Sequence, residues 1–236
     1  MGNDIFHFKQ FSVRQDLAAM KVGTDGVLLG AWASVEGAKS ALDIGTGTGL
    51  VALMLAQRAE YAQIHAIELD KAAYQQAGLN FAASIWTMRL NAVHADFKTY
   101  QPALKFDLIV SNPPYFNHSL KNPCDKKSLA RHTDNLSYAE LIKGAVKLLS
   151  DTGRFSVILP ASEKNNFKEI ATQYNLKLNK ALYVKPTPSK PPKRVLLEFS
   201  FLNIDEVEHE LVIEEFGRHQ YSEAYKQLIK EFYLAF

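Results

Sequence analysis

A doubly wound α/β fold, with a mostly parallel sheet and helices on both faces, is what this sequence predicts. Three observations carry that expectation. Short apolar runs alternate with helical segments from residue 40 onward. A glycine-rich turn, Gly45-Thr46-Gly47-Thr48-Gly49, joins the first such run to a helix. Acidic residues stand at the ends of successive runs: Asp43, Glu68 and Asp96.

The elements follow in order. Residues 6–22 alternate loosely (Phe6, Phe8, Phe11, Val13) and read as a strand or hairpin, after which Thr24 or Asp25 is expected to cap a short helix through Trp32. Ala41 to Ile44 reads as a strand, Leu50 to Ala59 as a buried helix apolar on nearly every face, and Ala62 to Leu69 as the second strand. Asp70 is expected to cap a helix to about Ala83. Leu90 to Ala95 and Phe106 to Ser111 read as strands. Asn135 or Ser137 starts a helix to Leu149, and Gly153 breaks into a strand from Phe155 to Leu159. Ala161 to Tyr174 reads as helix, Leu178 to Val184 and Val195 to Leu202 as strands, and Tyr221 to Phe232 as the last helix. Only a proline-rich loop separates the last two strands, so they are expected to pair antiparallel.

Composition narrows the class. The 236 residues, 47% hydrophobic and 22% charged, suit one large soluble domain, taken as 1–236. No apolar run approaches the ~18 residues of a membrane span, and the N-terminus lacks the basic and apolar regions of a signal peptide. A single cysteine, Cys124, allows no internal disulfide and has no histidine partner for nucleophilic catalysis. The histidines show no metal-ligand spacing; His65 reads as structural and His94 as a poor catalytic candidate. A cytoplasmic monomer without metal or membrane attachment is the expectation. Net charge is only +2, so any nucleic-acid binding must use locally concentrated cations.

The chemistry sits at the strand ends, where open α/β sheets bind ligands. Gly45 and Gly47 let a ligand approach the backbone where a Cβ would collide. The spacing is G-x-G-x-G rather than the dinucleotide G-x-G-x-x-G. Asp43, two residues earlier, would repel a pyrophosphate but attract an ammonium group. S-adenosylmethionine carries an amino-acid ammonium and a sulfonium and no phosphate, so Asp43 suits its methionine end. Glu68 can accept from both ribose hydroxyls, and Asp96 from the adenine amino group with Phe97 packing nearby. Gly49 completes the turn, and it and Asn112, at the end of the fourth strand, are also expected at the cofactor.

After Phe106 to Ser111 comes Asn112-Pro113-Pro114-Tyr115. The prolines stiffen the loop, and the first holds Asn112 extended. The Asn112 side-chain carbonyl and the Pro113 carbonyl can together accept both hydrogens of one planar NH₂ group, turning its lone pair toward a methyl donor. Tyr115 can stack on the target base. Such loops serve adenine, cytosine, guanine N2 and glutamine side chains alike, so the motif leaves the acceptor open.

Two segments concentrate positive charge. Lys185, Lys190, Lys193 and Arg194 sit in a proline-stiffened loop between the last two strands with no acid among them, suited to phosphates. Lys121 to His132, with Lys126, Lys127 and Arg131, follows the Asn-Pro-Pro-Tyr loop and reads either as a lid that orders on RNA or as an insertion.

Taken together, these residues resemble the bacterial tRNA1(Val) adenine-37 N6-methyltransferase family. The resemblance spans the chain: Phe8-Lys9-Gln10-Phe11, Met20-Lys21-Val22-Gly23-Thr24-Asp25-Gly26, Leu28-Leu29-Gly30-Ala31-Trp32, Asp43-Ile44-Gly45, Ser111 to Tyr115, Tyr221-Ser222-Glu223-Ala224-Tyr225 and Phe232-Tyr233-Leu234. The glycine and Asn-Pro-Pro-Tyr motifs belong to a superfamily; the Met-Lys-Val-Gly-Thr-Asp-Gly and Tyr-Ser-Glu-Ala-Tyr segments are more specific. The resemblance implies a seven-stranded class I methyltransferase fold with residues 1–35 as an N-terminal extension over the cofactor pocket. It implies that Lys21 and Thr24 border S-adenosylmethionine, and that the target is the N6 amine of the adenosine 3′ of the anticodon in a valine tRNA. RNA contacts at Lys190, Lys193, Arg194 and Arg131 follow from charge alone. The alternatives are a glutamine N5-methyltransferase acting on release factors, for whose helical domain the chain has no room, a DNA adenine methyltransferase, and a cofactor-binding scaffold without activity.

Overall fold

The computed structural model describes residues 4–18, 20–113 and 136–236. An antiparallel hairpin, β1 (Ile5–His7) and β2 (Ser12–Arg14), leads into α1 (Thr24–Trp32). Then follow β3 (Ser40–Ile44), α2 (Leu50–Arg58), β4 (Gln63–Glu68), α3 (Lys71–Ala82), β5 (Leu90–His94) and β6 (Phe106–Ser111). Beyond residue 135 come α4 (Tyr138–Leu148), β7 (Leu149–Pro160), α5 (Lys164–Gln173), β8 (Lys177–Lys185) and β9 (Arg194–Ser200). The chain ends with β10 (Val207–Val212), the short hairpin β11 (Glu214–Gly217) and β12 (Gln220–Tyr221), and α6 (Glu223–Ile229).

The main sheet has the order β10-β8-β9-β7-β6-β3-β4-β5. Every neighbouring pair is parallel except those made by β9, which runs antiparallel to β7 and β8. The doubly wound sheet and its antiparallel final pair are as the sequence leads one to expect. The strand count is not: the sheet has eight strands rather than seven. The eighth, β10, escapes periodicity because Val207, Glu208, His209 and Glu210 are all exposed and only Leu211 is buried. Charge on an edge strand discourages pairing with another chain, which is a reason for it to look unlike a core strand.

Alternate strand residues feed two cores. Ala41, Ile64, Leu108, Val110, Ile158 and Leu196 pack under α1, α2, α3 and α6, while Leu42, Ile67, Ile109, Phe155, Val157 and Leu197 pack under α4 and α5. Capping fixes where helices begin. Asp70 Oδ1 accepts from Ala73 N–H (2.8 Å), and Ser137 with Glu140 forms a reciprocal capping box. Several boundaries differ from expectation. The cap position of α1 is Gly23, not Thr24 or Asp25, and no side chain caps it; the Asp25 carboxylate is engaged by Arg194 instead. Strand β7 starts at Leu149 and runs through Gly153, with a register shift against β6 absorbing the extra residues. The last helix is also shorter than Tyr221 to Phe232, because Ser222 Oγ accepts from Tyr225 N–H (3.1 Å) and sets its start.

Candidate active site

The turn after β3 is held open by its backbone. Gly45, Gly47 and Gly49 have φ of 72°, 57° and 84°, a left-handed conformation that a side chain would strain. Gly45 and Thr46 N–H both donate to the Ile67 carbonyl at the end of β4 (2.9 and 3.1 Å), pinning the turn to the neighbouring strand. A Cβ at Gly45 or Gly47 would meet no protein atom within 4 Å, and both residues line a cavity of about 800 Å³. Gly49, expected at the cofactor, lines neither this cavity nor its neighbour. A Cβ there would come within 2.5 Å of the Phe81 ring, so its role is to let α3 approach the turn.

The three strand-end acids have different settings. Asp43 is buried, and Thr46 Oγ1 donates to its Oδ2 at 2.6 Å. Loss of hydration raises its pKa to about 7, against the lowering effect of the Thr46 and Ala52 hydrogen bonds, with nearby Glu68 adding to the rise. Glu68 is oriented by three backbone donors: Gly47 N–H on Oε2, and Leu69 and Asp70 N–H on Oε1, each 2.9 Å. Both Asp43 and Glu68 line the larger cavity. Asp96, which accepts from Lys98 N–H (2.8 Å), and Phe97 line an adjoining cavity of about 460 Å³. The Phe97 ring lies where a Cβ on Gly144 of α4 would be, so that glycine admits the aromatic wall. The two cavities share Gly45, Glu68, Asp70 and Pro113, and so form one cleft along the C-terminal sheet edge.

Asn112 and Pro113 enter this cleft from β6. Ser111 pairs with Ile44 in register, and its Oγ donates to the Ile44 carbonyl (3.0 Å), which fixes the end of β6 beside the glycine turn. Asn112 is half-buried and lines the larger cavity; Pro113 lines both. Tyr115 and Arg131 lie outside the described residues, as do Cys124 and the 121–132 segment.

The third wall comes from the N-terminal extension. Ala18, Met20, Lys21, Thr24 and Asp25 line the larger cavity. Polar side chains tie this segment down: Gln76 Oε1 accepts from Leu17 N–H and Gln15 Oε1 from Val22 N–H, both at 2.8 Å. Asn80 bridges β2 to the glycine turn, accepting from Arg14 N–H and donating to the Thr48 carbonyl (2.9 and 2.8 Å). Gln15, Gln76 and Asn80 are not legible as site residues in the sequence. Their only signal there is a polar side chain on an otherwise buried face.

The basic loop divides. Lys190 and Lys193 are exposed. Arg194 is half-buried, and its Nε donates to Asp25 Oδ2 at 2.9 Å, so it braces the cavity wall. Among the described residues no group of three or more histidines, cysteines or carboxylates could hold a metal ion, and no helix is long and apolar enough to cross a membrane.

A glycine turn, acidic side chains at successive strand ends and an Asn-Pro corner on the adjoining strand line one cleft at the C-terminal edge of a class I methyltransferase sheet. Residues 22–170 match the methyltransferase small domain. Among solved structures, a predicted O-methyltransferase from Agrobacterium tumefaciens superposes with a TM-score of 0.69 at 16% identity, covering 88% of this chain and 96% of its own. A glycopeptide N-methyltransferase complexed with S-adenosylmethionine gives 0.54 at 12% identity, covering 78% and 90%. At such identities the likeness is one of fold. A protein of Bacteroides thetaiotaomicron named tRNA1(Val) (adenine(37)-N6)-methyltransferase is 52% identical, with 99% of each chain covered. The chain belongs to that methyltransferase family.

Proposed function

We propose that the chain transfers a methyl group from S-adenosylmethionine to the N6 amine of adenosine 37 in tRNA1(Val). The observation that carries the chemistry is that Asn112 and Pro113 share one cavity with Gly45, Gly47, Asp43 and Glu68. The choice of tRNA and base rests on the full-length likeness to relatives bearing that name.

The cleft suits the cofactor. The space beside Gly45 and Gly47 is what a side chain would fill, and the donor set is acidic where the ligand is cationic or hydroxylic. When bound, S-adenosylmethionine supplies an electrophilic methyl group. Asp43 holds its ammonium end, Glu68 its ribose, and Asp96 and Phe97 its adenine, with Lys21 and Thr24 at the border. Asn112 Oδ1 and the Pro113 carbonyl accept the two N–H hydrogens of the target amine. That would pull the nitrogen lone pair out of conjugation and stabilise the positive charge that grows on nitrogen as the N–C bond forms and the methyl–sulfur bond breaks, its electron pair going to sulfur to leave a neutral thioether. Holding the amine there also contributes the proximity term. The amine proton then leaves through the same acceptors to water. Tyr115 is assigned to stacking on the flipped base. In this reading residues 1–236 act as one domain, residues 1–35 cover the cofactor, and the chain works as a cytoplasmic monomer without a metal.

Purified protein, labelled S-adenosylmethionine and total tRNA from cells lacking the modification provide the test. Label should appear as N6-methyladenosine at position 37 of the valine tRNA. Label in another nucleoside, or no label in tRNA but label in the glutamine of a release factor supplied in a parallel reaction, would replace this assignment.

A further inference from the structure

The β11–β12 hairpin has no signature in the sequence and no place in the chemistry above. It stands at the same edge of the sheet. Strand β10 is parallel to β8 with Val212 opposite Lys185, so both strands leave the sheet on the side where β6 delivers Asn112. The two chain segments then stay together: Ile213 N–H donates to the Lys185 carbonyl and Glu214 N–H to the Pro186 carbonyl, each at 2.9 Å. The hairpin is therefore built against the loop that carries Lys190 and Lys193.

Its shape is fixed in advance. Ser222 N–H donates to the Ile213 carbonyl (2.9 Å), closing the base, and the Tyr221 ring packs against Tyr225 and Phe236. At the tip, Gly217 and His219 take φ of 144° and 65°, and His219 N–H donates to Glu214 Oε1 (2.8 Å). On this turn Phe216 is 77% exposed, between the exposed Glu215 and, two residues on, the exposed Arg218. A large apolar ring held out on a turn is unfavourable in water. Here Arg218 stands on one side of it and the acid Glu215 on the other, and the loop with Lys190 and Lys193 joins the base of the hairpin. The cations for a negative backbone therefore come from Arg218 and from that loop, and the π-face from Phe216. Unpaired nucleotides suit both.

We propose that Phe216, flanked by Arg218, is a stacking platform for an unpaired base of the tRNA loop whose target adenosine enters at Asn112. The inference rests on the tRNA reading and adds a second contact point to it. Strand β10 lies four strands from β6, which at the usual spacing is roughly 19 Å along the edge. The loop with Lys190 and Lys193 falls between the two, where it can meet the intervening phosphates.

The test uses the full chain and unmodified valine tRNA, comparing wild type with Phe216→Ala and Phe216→Trp. Phe216→Ala should weaken tRNA binding about 5- to 150-fold, the range for one base on an aromatic side chain. It should raise KM for tRNA with little change in kcat and leave cofactor affinity intact. The salt dependence of binding should stay as in wild type, since every phosphate keeps its cation. Phe216→Trp should bind as wild type does. Equal tRNA affinity for wild type and Phe216→Ala would overturn the platform, and so would equal losses in both variants, because a tryptophan keeps the stacking face. A wild-type chain that methylates no tRNA would instead sink the reading beneath it.

Discussion

The two halves of the C-terminal sheet edge are built from different material. Around β3, β4 and β6 the site is made of backbone: three glycines in a left-handed conformation, a carboxylate held by three N–H groups, and a serine stapling one strand end to the next. Around β8, β9 and β10 it is made of exposed side chains on loops and a hairpin: Lys190, Lys193, Phe216 and Arg218. The first half can hold a small ligand of one shape at fixed points. The second offers charge and one π-face to something larger. A methyltransferase that acts on a polymer needs both kinds of surface. The comparison predicts that substitutions in the first half alter chemistry or cofactor affinity, while those in the second alter only the polymer.

The largest effect should come from the corner where the halves meet. Asn112→Ala should lower the single-turnover methylation rate by about 10²–10³, as expected when one acceptor aimed at developing charge is removed. Calorimetry should find the cofactor affinity little altered. A near-normal rate would move the amine to other acceptors.

Next is Glu68→Ala, which should weaken cofactor binding by about 1.5–3 kcal/mol, the range for hydrogen bonds to a charged group. Glu68→Gln should not rescue it. The amide would turn its NH₂ toward either Gly47 N–H or the Leu69 and Asp70 N–H pair, donor against donor. Full affinity in the glutamine variant would mean that Glu68 shapes the turn without touching the ligand.

Asp43 makes the backbone-built half sensitive to pH. With its pKa near 7 in the cofactor-free fold, Asp43 is protonated below that pH. The ammonium end of the cofactor favours the ionised form, so binding should release a proton. Affinity should fall by up to tenfold per unit as pH drops below about 7, and flatten above it. The sign for folding is opposite. A carboxyl whose pKa is raised on folding gives the cofactor-free protein most stability below the unfolded value of 3.8, and that contribution is lost as pH rises toward 7. Calorimetry in buffers of different ionisation enthalpy measures the proton directly, and Asp43→Asn should abolish the release.

The same contrast explains what is legible in the sequence. The cofactor half is legible because unusual backbone demands unusual residues: a turn of positive φ asks for glycine, and Asn112-Pro113 makes a stiff corner whatever surrounds it. Phe97 is also legible, though not the Gly144 that admits it. Gln15, Gln76 and Asn80 are not, because a glutamine or asparagine that closes a long-range hydrogen bond looks like any polar residue until the fold brings its partner near. Strand β10 hides behind exposed charge, and the β11–β12 hairpin behind the absence of any apolar period.

Arg194 shows the limit most sharply and gives the smallest but most discriminating prediction. By composition it belongs with Lys190 and Lys193, three cations of one loop. By geometry it belongs to the other half of the molecule, because its guanidinium meets Asp25 on the wall of the larger cavity. Lys190→Ala/Lys193→Ala should weaken tRNA binding and reduce the log–log salt slope by roughly 1.4–1.8, about 0.7–0.9 for each phosphate no longer neutralised, with cofactor affinity unchanged. Arg194→Ala should leave the slope nearly as in wild type and weaken cofactor binding instead. The loss should be no more than about 1 kcal/mol, since the Asp25 pair is only partly shielded from water. Asp25→Asn should produce a similar small loss, and the double variant should add little to either, as coupled neighbours do. If Arg194→Ala instead flattens the salt slope as one of the lysines does, with cofactor affinity intact, the charge pattern was the better guide, and the boundary between the two halves lies on the other side of β9.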